Sequence, residues 1–280
     1  MNKSGLSGVI MVEYKKTMIE HFFTTLAQYA PEYSEHVGYM TSGGGGLYGG
    51  ASIIGLGLIL LCGLIGGIVQ SNMQASVRRY SAEPAPLTGA DVARRMLNSY
   101  GLHHVQVTHT PGALTDHYNP ANHTVNLSDT VYSQATVAAM AVAAHECGHA
   151  VQHATGYAWL KMRSELVPLV NIGSRLGQFV LIAGLALLAM GAGTTVAWIG
   201  LALFGTTTLF ALVTLPVEFD ASRRALAWLD TTGLTNRAMH GQAGTALRWA
   251  AMTYVAAALS SIAMLVYYAL ILLNARGRDE

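Results

Sequence analysis

Charge is scarce in this sequence. Only 11% of its 280 residues are Asp, Glu, Lys or Arg, against about 25% in an ordinary soluble domain. With a hydrophobic fraction of 52% and a mean hydropathy of +0.37, this excludes a typical soluble globule and predicts an integral membrane protein. The formal net charge of +1 carries no signal for nucleic acid, and no nucleic-acid partner is expected. Cysteine is also scarce. Cys62 lies in an apolar segment and Cys147 inside a histidine motif. Neither looks like a disulfide partner, and two cysteines cannot build a zinc ribbon. No cleavable signal peptide is expected, because the first 46 residues are polar and mixed in charge.

Long apolar runs are abundant, and they divide the chain. Residues 1–46 read as an N-terminal extension: Val9 to Tyr29 as one amphipathic helix for a membrane surface or a partner, then a glycine linker with Met40 as an alternative start. Residues 47–69 carry no charge, and about 20 such residues cross a bilayer core, so they form the first expected span. Its glycines suit close helix packing. Residues 70–172 are expected to face water, with a helix after Thr88, strands at Val105 to His109 and Thr124 to Leu127, and a small sheet. Thr124 to Leu127 is the candidate edge strand for pairing with an extended peptide. Residues 173–217 read as a transmembrane hairpin around Gly191 to Thr195. Residues 218–248 are polar, with a loop around Thr231 to Gly233. Residues 249–273 form the fourth span, and 274–280 a charged tail.

The chemistry concentrates in Ala143-Ala-His-Glu-Cys-Gly-His-Ala-Val-Gln-His153, inside an Ala-rich run that favours a helix. Residues four apart on a helix lie about 40° apart around its axis and one turn along it. His145 and His149 therefore point the same way, close enough to share a metal ion. Neutral imidazole suits zinc, and a catalytic zinc needs three protein ligands and an open position. Glu146 stands on the rim of that position, where a carboxylate can act as general base toward the attacking water. Cys147 faces away and reads as packing. The motif is short, and its helical context raises its value.

The third ligand must come from elsewhere. A metzincin would carry His at position 155, where Thr155 stands, and a straight helix carries His153 past the metal. Asp116 and His117 form a second polar cluster, suited to orienting a ligand, to stabilising an oxyanion or to capping the turn at Asn119-Pro120. The hairpin of spans returns the chain to the side it left, where Glu218 appears, and a carboxylate is a normal third ligand beside two histidines. Asp220 is its competitor on another face. Ser222, one turn on, could bond a ligand, and Arg223 or Arg224 could pair with Asp220 or a substrate carboxylate.

With these residues in place, the chain resembles the YugP-like family of bacterial membrane zinc metallopeptidases. The resemblance is carried by Leu87-Thr-Gly-Ala-Asp-Val-Ala93, Leu114-Thr-Asp-His-Tyr118, Val142-Ala-Ala-His-Glu-Cys-Gly-His-Ala-Val-Gln152, Leu166-Val-Pro168, Pro216-Val-Glu-Phe-Asp-Ala-Ser-Arg-Arg-Ala225 and Thr253-Tyr-Val-Ala256. It implies a membrane-bound zinc peptidase. The segment at Glu218 is also similar to the third-ligand helix of HtpX-type gluzincins; by that similarity Glu218 is the ligand, and Ser222 departs from the Asp usual there.

The expected fold is mainly α: an integral membrane protein with four transmembrane helices and a zincin-like metallopeptidase domain with a small β-sheet. The expected site is Zn2+ on His145, His149 and Glu218, with Glu146 as the catalytic base. Its substrates would be peptides or membrane proteins. Lipid surrounds the spans, and a homo-oligomer or a partner membrane protein is the candidate assembly. Eleven Lys and Arg lie on the motif's side of the spans against five on the other. That asymmetry predicts an active site facing the cytoplasm from a bacterial inner membrane, with both termini outside. Two rival functions remain. A site-2-type intramembrane protease would need the motif inside a span, and Val137 to Ala144 is too short to cross. A non-catalytic scaffold with structural zinc would need a fourth ligand such as His117 or His153.

Overall fold

The computed structural model describes residues 50–276; the amphipathic helix and linker expected in residues 1–46 lie outside them. In order, the described elements are α1 (Gly50–Tyr80), α2 (Gly89–Ser99), β1 (Gln106–Thr110), β2 (His117–Asn119), β3 (Thr124–Ser128), α3 (Asp129–Ser133), α4 (Val137–Ala154), α5 (Ala158–Ala189), α6 (Thr195–Thr231) and α7 (Arg237–Arg276). Helices α1, α5, α6 and α7 are long and apolar enough to cross a membrane. The chain is therefore a mainly helical membrane protein, with four such apolar helices and one small sheet among the described residues.

These helices outrun the apolar stretches that announce them. Helix α6 continues through Pro216 to Thr231, carrying Glu218 and Asp220 on the same helix as the apolar run. The polar stretch at 218–248 is helical on either side of the loop expected around Thr231 to Gly233, where the chain turns with Gly233 at φ +64°. Backbone hydrogen bonding is satisfied within a helix whatever its side chains, so a helix need not end where its apolar run does.

The described chain forms two compact units. The first comprises residues 68–165 and 213–255. Its core joins Val92, Met96 and Leu97 of α2, Val125 and Leu127 of β3, Val137, Met140 and Val151 of α4, and Leu229 of α6. Thr88 caps α2: its Oγ1 accepts from the Asp91 N–H at 3.2 Å and donates to the Asp91 carboxylate at 2.7 Å, satisfying end groups the helix cannot. Thr136 caps α4 the same way, accepting from the Ala139 N–H at 3.2 Å.

The sheet has the order β1-β3-β2, with β1 parallel and β2 antiparallel to β3. Strand β3 therefore has a neighbour on both sides, which corrects the expectation that Thr124 to Leu127 is an edge. The chain passes from β1 to β2 before β3 enters between them, an order that alternation of side chains does not encode. The edge beside the site is β2.

The second unit comprises residues 50–67, 166–212 and 256–276 of the described chain. Here α5 and α6 touch backbone to backbone. A Cβ at Gly184 would lie 2.2 Å from the Ala197 nitrogen, and one at Gly200 would lie 2.3 Å from the Leu181 nitrogen. Small residues permit this approach, and in lipid such packing holds helices together. The Thr208 and Ser261 hydroxyls, 2.6 Å apart, add a buried hydrogen bond between α6 and α7.

Candidate active site

Helix α4 presents His145 and His149 one turn apart, with ring centroids 4.8 Å apart and planes at 85°. Helix α6 lies directly against it. A Cβ at Gly148 would sit only 2.6 Å from the Ala221 carbonyl oxygen, so the glycine between the motif's Cys and second His lets the two helices close on each other. That approach brings Glu218 to the paired imidazoles. Its Oε2 is 3.3 Å from His145 Nε2, its Oε1 is 3.8 Å from His149 Nε2, and one ligand atom from each residue falls within 4.8 Å of the others.

The far side of each ring is already engaged. His145 Nδ1 is 3.1 Å from Ser222 Oγ, and His149 Nδ1 is 3.0 Å from Gln152 Oε1. A histidine that spends Nδ1 on an outer partner turns Nε2 toward the shared centre. Gln152 is itself fixed, because its Nε2 donates to the Val217 carbonyl at 2.8 Å and to Asp220 at 2.9 Å. Asp220 also accepts from Arg223 and from Arg224 Nε. It serves this outer network and does not join the ligand group. Burial, partly offset by the Glu218 charge, holds the His149 imidazole down at about 4, so at neutral pH it is in the uncharged form that binds metals.

Glu146 is buried beside this centre, and its Oε2 accepts the Tyr118 backbone N–H at 3.1 Å. Strand β2 thus spends a main-chain donor on the carboxylate of α4. Tyr118 is held from its other end: its hydroxyl is 2.8 Å from His153 Nδ1, and the His153 ring stacks on His123. His117 Nδ1 lies 2.8 Å from the Thr115 carbonyl. Asp116 accepts from the Ser128 N–H and hydroxyl at 2.7 and 2.9 Å, tying the approach to β2 to the end of β3. Burial pushes the Cys147 thiol well up, and its Sγ points to the Ala93 carbonyl, so it contributes packing.

Comparisons with known proteins supply the family. A family model described as "Putative neutral zinc metallopeptidase" matches residues 55–273. The "Putative membrane protease YugP" of Bacillus subtilis (strain 168) is 38% identical over 213 residues, covering 75% of this chain and 92% of that protein. The chain belongs to this neutral zinc metallopeptidase family. No solved structure matches it.

A zinc site of this peptidase family has to fit the residues present, and it does. With bonds of about 2.0–2.2 Å to N and O, the corners of a zinc tetrahedron lie roughly 3.4 Å apart. His145 Nε2 and Glu218 Oε2 are 3.3 Å apart, His149 Nε2 and Glu218 Oε1 3.8 Å, and the ligand atoms spread over no more than 4.8 Å, so small side-chain shifts would close the group on an ion. The Glu218 carboxylate is buried and its Oε1 makes no hydrogen bond, with the Arg163 guanidinium 3.6 Å away; a buried carboxylate so placed needs positive charge around it, which a metal on its other oxygen would add to. Among the described residues, neither His117 nor His153 joins the ligand group as the fourth ligand that would mark a structural zinc. Helix α4 is also not one of the four long apolar helices, which disfavours a motif buried in a span.

Four contributors escape a sequence reading: Gln152, Tyr118, Gly148 and Arg163. Gln152 follows His149 by three residues on one helix, a spacing that could have suggested contact. Tyr118 acts through its main chain and leaves no residue signature. Gly148 matters for the side chain it lacks. Arg163, whose guanidinium lies 3.6 Å from Glu218 Oε1, reads in the sequence as one of many basic residues near the ends of apolar runs.

Proposed function

We propose that this membrane peptidase is zinc-dependent and hydrolyses peptide bonds, with His145, His149 and Glu218 as metal ligands and Glu146 as general base. The observation that carries the proposal is the meeting of two imidazole Nε2 atoms with the buried carboxylate of Glu218, one ligand atom from each residue lying within 4.8 Å of the others. A zinc ion held there would supply Lewis acidity and an activated water at neutral pH. The chain's own groups do the rest. Ser222 and Gln152 hold the rings in register. Glu146, oriented by the Tyr118 N–H, accepts the proton of the attacking water and hands it to the leaving amine. The hydroxyl ends on the carbonyl carbon, the C–N bond breaks, and one water is consumed. An extended substrate would lie along the outer edge of β2, beside Glu146.

Metal analysis of the purified protein tests the ligand assignment. The expected result is one zinc per chain, with cleavage lost on chelation and restored by zinc. Glu218→Ala should lower occupancy to near zero, and normal zinc content in that variant would sink the assignment.

The excess of Lys and Arg on the site's side of the spans supports a cytoplasmic active site at a bacterial inner membrane. A reporter that is active only outside the cytoplasm, fused after residue 280, should then be active. An inactive reporter on a stably inserted protein would reverse the orientation.

A further inference from the structure

Arg163 is buried where a charge is least expected. It lies in the first turns of α5, and its side chain is only 5% exposed, whereas its apolar neighbours Trp159 and Met162 are 43% and 38% exposed. The helix thus turns its cation inward and its hydrophobes outward. The turn before it sets this up. Gly156, at φ +64°, ends α4 in a left-handed turn, with the Tyr157 N–H bonded to the Gln152 carbonyl and the Gly156 N–H to the His153 carbonyl. This pattern reverses the chain directly after the motif helix. The Tyr157 hydroxyl then donates to the Pro216 carbonyl at 3.4 Å, fixing the start of α5 beside the stretch of α6 that bears Glu218.

There the Arg163 guanidinium comes within 3.6 Å of Glu218 Oε1, the buried oxygen with no hydrogen bond. The other oxygen, Oε2, makes the closer approach to an imidazole, 3.3 Å from His145 Nε2, whereas Oε1 is 3.8 Å from His149 Nε2. We propose that Arg163 is a positioning residue that claims one oxygen of Glu218, so that the carboxylate meets the metal through the other oxygen alone. This rests on the reading of His145, His149 and Glu218 as the cation site. A guanidinium so deeply buried is poorly placed to touch a substrate, but well placed to act through its carboxylate neighbour.

The arrangement has two consequences. A fixed positive charge a few ångströms from the metal position repels the incoming cation, so Arg163 loosens metal binding. A carboxylate limited to one oxygen also donates less charge and leaves a position open, which keeps the bound ion a stronger Lewis acid. Arg163 thus gives up affinity and gains reactivity.

The test uses full-length protein in detergent with Co2+ as the probe, its affinity measured by competition with a chelator and its ligand number by visible absorption. The wild type should bind one Co2+ with a four-ligand spectrum. Arg163→Met removes the charge and keeps the bulk; it should bind Co2+ about tenfold more tightly, shift to a five-ligand spectrum and lose kcat with little change in KM. Arg163→Lys keeps the charge and should stay near the wild type in affinity. Weaker binding in Arg163→Met would mean that the residue only packs, and would overturn the proposal. A raised KM with affinity and spectrum unchanged would point to substrate contact and would also overturn it. X-ray absorption of the zinc-loaded wild type needs no variant, and a two-oxygen carboxylate there would refute the proposal even if Arg163→Met fails to fold. Wild-type protein that binds no Co2+ would instead defeat the underlying cation-site reading.

Discussion

Glu146→Gln should lower kcat by about 10²–10⁴-fold, the usual contribution of a positioned general base, while zinc stays at one per chain. The substitution is nearly isosteric and removes only the ability to take a proton. The Gln side-chain oxygen can still accept the Tyr118 N–H that now holds Glu146 Oε2 at 3.1 Å, so the tie between β2 and α4 survives. Glu146 is outside the ligand group of His145, His149 and Glu218, so metal content should not follow activity down. Full proteolysis in a zinc-loaded Glu146→Gln protein would mean that another group takes the proton. An inactive, correctly folded variant would also retain its substrates, and their recovery from cells would identify what the enzyme cuts.

Much of this site can be read from the sequence because its central parts are local or follow from connectivity. His145, Glu146 and His149 occupy adjacent turns of one helix, and helical geometry alone sets their relation. Glu218 is distant in sequence, yet a pair of apolar runs joined by a short turn returns the chain to the side it left. The least legible parts depend on three-dimensional neighbours. Strand β3 sits between β1 and β2, and nothing in its alternating residues says which strands flank it. Tyr118 contributes a backbone N–H that any residue but proline would offer. Arg163 counts toward charge asymmetry as one of many basic residues, and only its burial beside Glu218 sets it apart.

Gly148 joins both kinds of information, because its place in the motif is visible while its reason is not. A Cβ there would lie 2.6 Å from the Ala221 carbonyl oxygen and 3.1 Å from the Ala221 Cα. An ordinary contact begins at 3.4 Å, so alanine would force α4 and α6 apart by about 0.8 Å, the difference between 3.4 and 2.6 Å. These neighbours are helix backbone and cannot swing away as a flexible side chain would. Two effects oppose each other in stability. Overpacking costs about 1–3 kcal/mol, while replacing glycine inside a helix gains about 1 kcal/mol. The net loss in Gly148→Ala should therefore be modest, within about 2 kcal/mol. The site should suffer far more, because Glu218 rides on the helix that is displaced, and a misplacement of about 1 Å can cost 10²-fold in rate. Gly148→Ala should thus lose activity about a hundredfold and bind zinc more weakly, with only a small fall in Tm. Gly148→Val should lose both metal and stability. Gly241→Ala supplies the control, since a Cβ at Gly241 meets nothing within 4 Å; it should leave zinc and activity intact and be neutral or slightly stabilising. If Gly148→Ala behaved like Gly241→Ala, the close approach of α4 and α6 would not be what delivers Glu218 to the histidines.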